Sequence, residues 1–372
     1  MPPSDIALPP ADSPPRRIGF LLIPGFALLA YGCAMEPYRA ANTLSGRTLY
    51  SWKHVSPDGR PVMASNGVAI LPDQGLEKPL DVDDLFVCAG GNPATFRDAA
   101  TFAWLRGQAA RGLRLGGVSG GPYVLARAGL LAGRRCTAHW EHLPALREDF
   151  PLLDVTESGF EIDRDRCTSS GGVAAMDMML ALIAAAHGGA LAAAVSEWFL
   201  NTRLGARDAA QRMPPGERYG VHHAGMLAAL EAMEASLEEP LPRTALAARA
   251  GLSVRQLERL FQAQLGTTLG AHYRELRLDR ARLLLRQGPL SVLQTAMAGG
   301  FVSAAHFSRA YRARFGIAPR AERPSPRGPA PGRARAMSPG RARTMSPGRA
   351  RTMSPGMSPG LSPLGKPVPQ SG

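Results

Sequence analysis

Cysteine is scarce in this chain of 372 residues: Cys33, Cys88, Cys136 and Cys167 stand far apart, and none belongs to a C-x-x-C pair. That spacing excludes a zinc finger and a dithiol redox pair, and it fits reduced thiols in a cytoplasmic protein. Long apolar runs are missing too. The most apolar stretch, Val173–Val195, is interrupted by Asp177, His187 and Gly188-Gly189. It reads as two buried helices rather than a membrane span of about 20 residues. Residues 1–15 are proline-rich and acidic, unlike an export signal, and are expected to be disordered. No membrane partner is expected. Acids are nearly absent from residues 240–320, which hold 13 arginines against three acids, a net charge of +10. Residues 1–239 carry −5 and residues 321–372 carry +8. A basic block confined to one segment is the footprint of a nucleic-acid partner, and the acidic front half argues against that half touching DNA.

The basic block says the same thing twice. A short helix over Thr244–Ala250, a Gly251-Leu252 turn and a helix over Val254–Leu265 are followed by Val292–Ala298, Gly299-Gly300-Phe301 and Ser303–Phe315. Gly251 matches Gly300, Arg259 matches Arg309, Phe261 matches Tyr311 and Gly266 matches Gly316, a period of 49 to 50 residues. Each copy is a helix-turn-helix pattern, and a period of that size marks a duplicated unit. In the first longer helix, Leu257, Leu260, Phe261 and Leu265 form the apolar face. Val254, Arg255, Gln256, Arg259 and Gln262 are left as candidates to meet DNA. In the second, Phe307, Ala310, Tyr311 and Phe315 turn inward, leaving Ser303, Ala305, His306, Arg309 and Arg312. An arginine in the major groove bonds guanine bidentately or neutralises a phosphate. Between the copies, His272–Gln287 reads as one helix stopped by Gly288-Pro289, with Arg277, Arg280 and Arg282 outward. Such a connector would hold two reading helices at a separation suited to successive grooves, about 34 Å apart.

Three groups of residues carry a resemblance. They are Leu246-Ala247 through Ala250-Gly251-Leu252-Ser253 to Arg259-Leu260-Phe261, then Arg277-Leu278 through Leu284-Leu285, then Gly300-Phe301 through His306-Phe307-Ser308-Arg309 to Phe315-Gly316 and Pro319. Together they resemble the AraC/XylS DNA-binding domain, with Ala305 standing where a serine is usual. The resemblance implies a sequence-specific transcription regulator on double-stranded DNA, acting as a homodimer on half-sites, with RNA polymerase as a candidate further partner. It implies action in the cytoplasm, at the nucleoid when DNA is bound.

The front half alternates differently. Ile18–Ile23 is a continuous apolar run, as in a strand buried on both faces. Helix-spaced Leu28–Leu44, strand Leu49–Val55, short strands Val62–Ala64 and Val68–Leu71, and buried strand Leu85–Cys88 follow. A helix over Pro93–Arg111, strand Leu115–Val118 and helix Gly120–Ala128 come next. Cys136–Ala138, Val155–Glu157 and Glu161–Arg166 read as extended, and Met176–His187 and Leu191–Leu200 as helical. This rhythm implies an α/β domain with a parallel, flavodoxin-like sheet covered on both faces. Ile18 through Phe26, Glu36-Pro37 with Arg39-Ala40-Ala41-Asn42, Gly90-Gly91-Asn92-Pro93, Gly116 through Gly121 and His139-Trp140-Glu141 resemble the PfpI-type family of the class I glutamine-amidotransferase-like fold. Fused to an AraC/XylS-type domain, that architecture implies an effector-binding front half. Amino acids or quaternary amines such as betaine or carnitine are the implied effectors.

Gly117-Val118-Ser119-Gly120-Gly121 matches G-x-S-x-G between a strand and a helix, the setting of a nucleophile elbow. Backbone N–H groups of Gly120 and Gly91 are expected to face an oxyanion or carboxylate. His139 is the candidate base, and Glu36 and Asn92 are further polar groups. The resembled family uses cysteine at the elbow, and a serine hydroxyl barely ionises without a base. The order of Ser119 before His139, with Glu36 upstream, also departs from the α/β hydrolases. A non-catalytic effector pocket is therefore expected, with a serine hydrolase or amidase acting through Ser119 as the alternative. On a helix, His139 and His142 would have the spacing to share a metal, but four ligands do not converge, so no metal and no cofactor are expected. Asp177, on an apolar helix, reads as facing the pocket or as a buried hydrogen-bonded residue. The expected organisation is a disordered segment 1–15, an effector domain 16–200, a linker 201–219 least ordered at Pro214-Pro215-Gly216, an all-α DNA-binding domain 220–320 with two helix-turn-helix motifs, and a basic repeat tail 321–372. In the tail, Gly332, Gly340 and Gly348 each open an eight-residue unit with almost nothing to bury.

Overall fold

The apolar run near the start becomes β1 (Arg16–Leu22), whose residues Ile18, Phe20, Leu21 and Leu22 are completely buried. The structure, a computed structural model, describes Pro10 and residues 13–201, 211–288 and 290–322. Most of the leading segment expected to be disordered, linker residues 202–210, Pro289 of the helix stop and the tail from residue 323 lie outside the described residues. The chain continues through α1 (Leu28–Ser45), β2 (Tyr50–Val55), β3 (Val62–Met63), β4 (Ala69–Ile70), β5 (Asp84–Ala89), α2 (Ala99–Ala110), β6 (Arg114–Ser119), α3 (Gly121–Arg127) and β7 (Arg135–Cys136). Then come α4 (Leu143–Asp149), β8 (Asp154–Val155), β9 (Phe160–Asp163), β10 (Arg166–Ser169), α5 (Ala174–His187) and α6 (Gly189–Trp198).

Six strands form the main sheet in the order β2-β1-β5-β6-β10-β9, parallel throughout except for β9. Successive side chains leave opposite faces. Ile18, Phe20, Leu22, Phe86 and Cys88 join a core with α1, α5 and α6, whereas Leu21, Leu85, Val87 and Leu115 join one with α2 and α3. Burying each of the larger apolar side chains contributes about 1.5–3 kcal/mol. The strand order reverses at β1, and in such sheets ligands sit outside the carboxyl ends of the strands near that reversal. The carboxyl ends of β5 and β6 are Ala89 and Ser119.

Several expectations are corrected here. The helix expected over Pro93–Arg111 is broken: Pro93–Thr95 is a 3-10 turn, and α2 starts afresh because Asp98 accepts the N–H groups of Ala100 and Thr101. The single extended segment expected at Glu161–Arg166 is the hairpin β9–β10, turned at Arg164 with φ of +58°. Its second arm, β10, lies parallel beside β6. The helix α4 was not expected at all.

The second half opens with α7 (Pro215–Tyr219) and α8 (Ala224–Ala235), followed by α9 (Arg243–Arg249), α10 (Val254–Leu265), α11 (Leu269–Gln287), α12 (Val292–Ala298) and α13 (Ala304–Phe315). Pro214-Pro215-Gly216, expected to be the least ordered part of the linker, instead begins α7. A proline is well placed at a helix start, where no N–H is needed, and Arg218 anchors the turn to Glu234 at 2.6 Å. Two cores follow the repeat. Leu257 and Phe261 pack with Met226, Leu230 and Leu246, while Phe307 and Tyr311 pack with Ala296 and Phe301. The long α11 serves both, giving Leu269 and Tyr273 to the first and Leu278, Ala281 and Leu285 to the second.

The arginines of α11 expected to face outward are half-buried instead. Arg277 donates to Gly299 O at 2.9 Å and Gly300 O at 2.5 Å and covers the Phe301 ring. Arg280 lies 3.9 Å from Glu238, and Arg282 joins Glu322 at 3.0 Å while covering Phe315. Arg277 holds the second turn and Arg282 the chain after α13, while Arg280 faces the segment between α8 and α9. No described helix is long and apolar enough to cross a membrane.

Candidate nucleic-acid interface and effector pocket

The two reading helices start at serine caps. Ser253 Oγ accepts the Gln256 N–H, and Gln256 Oε1 accepts the Ser253 N–H at 2.9 Å, closing a capping box. Gln256 is therefore engaged at the helix start, on an exposed position. Ser303 likewise caps α13 through the His306 N–H, and Val254 is half-buried against the first core. These three residues position the helices. The exposed row on α10 is Arg255, Arg259 and Gln262, and on α13 it is Ala305, His306, Arg309 and Arg312. Arg255, Arg259, Arg309 and Arg312 have no acidic partner among the described residues, in contrast to Arg243, Arg282, Arg286 and Arg314. Unpaired guanidinium groups four apart on α10 and three apart on α13, on one exposed face of each helix, are free to neutralise phosphate or to read guanine. A groove beside α13 is also lined by Arg274 of α11, which the sequence reading missed. Its signal was the Arg274–Arg277 step along α11, where only the second arginine turns inward.

The turns need glycine. Gly251 has φ of +66° and Gly300 +72°, and a Cβ on Gly300 would come 2.6 Å from Leu237 O. A side chain there would push the second unit away from the chain between α8 and α9.

In the front domain, Ser119 sits between β6 and α3 with φ of +60°, one of three non-glycine residues at positive φ among those described. Such a conformation costs of order 1–3 kcal/mol and persists only where the surroundings hold it. They do: a Cβ on Gly121 would lie 1.9 Å from Val87 O, so the helix closes directly on the strand. The elbow is thus present as the sequence implied, but its chemistry is not assembled. Gly120 N–H donates to Ala89 O at 3.0 Å, so it does not face an oxyanion as expected. His139 reaches Ser119 only through its main chain, N–H to Ser119 O at 3.2 Å. Its Nδ1 lies 3.4 Å from the Glu141 N–H. Burial holds the His139 imidazole below the ordinary histidine range, partly offset by Glu141. Glu36 is tied to Arg39 at 2.6 Å. Gly91 has φ of +59°, and Asn92 Oδ1 accepts the Ala94 N–H at 3.1 Å. Burial pushes all four cysteine thiols up, Cys136 and Cys167 to about 12.

His139 and His142 do not share a helix. They bracket the turn before α4, and His142 Nδ1 lies 3.1 Å from Gln287 Oε1. Asp177 is half-buried and accepts a hydrogen bond from Asn201 Nδ2 at 3.4 Å. Burial, reinforced by the nearby His139 and partly offset by Gln287, depresses the His142 pKa to about 3. The unfolded chain therefore takes up this proton first, below about pH 6.5. Stability is complete above that pH and is lost as pH falls, by about 1.4 kcal/mol per unit, or about 2 kcal/mol by pH 5. Denaturant titrations at pH 7 and pH 5 are expected to show that loss, and His142→Gln is expected to flatten it. An unchanged slope in that variant would exclude His142 as the cause.

With this geometry in place, comparisons with known proteins match the two halves of the chain separately. A family model described as "Helix-turn-helix domain" matches residues 246–324, and one described as "DJ-1/PfpI family" matches residues 18–185. The HTH-type transcriptional regulator GbdR of Pseudomonas aeruginosa is 46% identical over 318 residues, covering 85% of this chain and 86% of the relative. CdhR of the same organism is 47% identical, covering 82% and 90% respectively. GlxA of Rhizobium meliloti is 45% identical, covering 82% and 94%. Each is named an HTH-type transcriptional regulator. The chain belongs to the HTH-type transcriptional regulators that join an N-terminal DJ-1/PfpI domain to a C-terminal AraC-type DNA-binding domain.

Proposed function

We propose that the front domain, residues 16–200, is a non-catalytic sensor of a small metabolite. Its occupancy sets how a cytoplasmic homodimer presents residues 220–320 to DNA half-sites. Arg255, Arg259, Gln262, His306, Arg309 and Arg312 read the duplex, and Glu36, Gly91, Asn92, Ser119 and His139 surround the effector. The observation that carries this reading is Ser119 itself, held at the carboxyl end of β6 in a strained turn with no imidazole on its hydroxyl. A strained turn without a working base suits binding rather than turnover.

A thermal-shift panel of amino acids and quaternary amines on the full chain tests it, run beside labelling with a fluorophosphonate. At least one compound is expected to raise the melting temperature, since a ligand at about 100 times its Kd adds about 2.7 kcal/mol. No labelling of Ser119 is expected. Labelling accompanied by measurable hydrolytic turnover would replace this reading with the hydrolase one. A flat panel would favour a constitutive DNA binder.

A further inference from the structure

The far end of α11 meets the candidate pocket. Asn92 Nδ2 donates to Arg286 O, and the next residue, Gln287, is the partner of His142. The His142 ring lies 5.7 Å from that of His139. Gln287 and His142 are both buried where they meet, at 9% and 3% exposure, and each belongs to a different domain. On its other side the same stretch grips the second reading unit. Glu322 Oε1 accepts from Arg286 Nε at 2.5 Å and from Arg282 Nε at 3.0 Å, and Arg282 covers Phe315 at the end of α13.

We infer that the Arg286–Gly288 end of α11 is a latch: it occupies the Asn92 amide in the effector-free chain and holds the DNA-binding domain docked in a form that binds DNA poorly. The inference rests on the sensor reading of the same pocket. An effector carboxylate or carbonyl that takes the Asn92 N–H groups competes with the Arg286 carbonyl. Effector occupancy and docking then disfavour one another by the same factor, as linkage requires. Opening the latch frees α11 from the front domain, so that both reading helices can settle into successive grooves.

A crosslink tests the latch in the full chain. A Cβ on Gly288 would lie 3.6 Å from Ala145 Cβ on α4, within the roughly 3.5–4.5 Å that a disulfide spans. The four native thiols are buried. The A145C/G288C chain is to be oxidised, the bond located by mass spectrometry, and affinity measured for a duplex that the wild-type chain has selected from a random pool. The oxidised form is expected to bind at least tenfold more weakly than the same protein reduced. Equal or tighter binding when oxidised, or a folded variant that forms no bond, overturns the latch while leaving the sensor reading standing. The Gly288 Cβ also comes 2.9 Å from Leu284 O, so a second variant guards against misfolding. Gln287→Ala removes the His142 partner alone and is expected to bind the duplex at least threefold more tightly than wild type. Unchanged affinity overturns the latch on its own, and a wild-type chain that selects no duplex sinks both latch and regulator.

Discussion

Replacing Arg259 and Arg309 together by alanine is expected to cost about 2–6 kcal/mol of discrimination between operator and random DNA, since each bidentate arginine is worth about 1–3 kcal/mol. The two residues occupy matching positions on α10 and α13, both exposed and both without an acidic partner among those described. They sit over separate cores and share no contact, so the single losses should add. Where either arginine also touches phosphate, its removal should reduce the salt slope by about one unit. Arg314 supplies the control. It lies on α13 too, but it is bound to Glu275 and Asp279 at 3.3 and 2.9 Å. Arg314→Ala should therefore weaken folding more than it alters sequence preference. Competition titrations of each variant against selected and random duplexes decide the matter. A double variant that keeps the wild-type specificity ratio would mean that other residues read the DNA.

The reading units were legible because every cue in them is local and occurs twice. The 3.6-residue spacing of Leu257 and Phe261, the serine caps and the turn glycines locate α10 at Val254–Leu265 without any tertiary information. β1 was legible for a similar reason: an unbroken apolar run has no face to offer water. What escaped depends on neighbours. Helix α4 is seven residues of mixed character, too short for a period to register. The β9–β10 turn uses Arg164 at positive φ where a glycine would have announced it. Arg277 has the spacing of a surface residue, yet its partners are main-chain carbonyls delivered by a distant turn. At the elbow, the sequence specifies strand, sharp turn and helix, but the direction of the Gly120 N–H is set by the partner it finds on Ala89. The contact of Gln287 with His142 joins residues 145 positions apart in the chain, and no sequence pattern connects them.

Phe307→Ala is expected to cost about 3–5 kcal/mol, the range for removing a buried phenyl ring, and to unfold only the second reading unit. The core around Phe307 has seven buried residues, and its ring contacts Phe301 and Tyr311 at centroid distances of 5.2 and 5.4 Å. A core that small has little other apolar burial to fall back on. The first unit keeps Leu257 and Phe261 packed against α8 and the start of α11, none of which touches the lost ring. Hydrogen exchange should therefore rise across α12 and α13 while α9 and α10 stay protected, the behaviour of separate cooperative units. On DNA, the footprint should shrink to the groove met by α10. Arg259→Ala should then remain costly in this background, and Arg309→Ala should become silent. If exchange rises equally in both units, α11 couples the two cores into one, and the pair of helix-turn-helix motifs must be treated as a single folding and reading element.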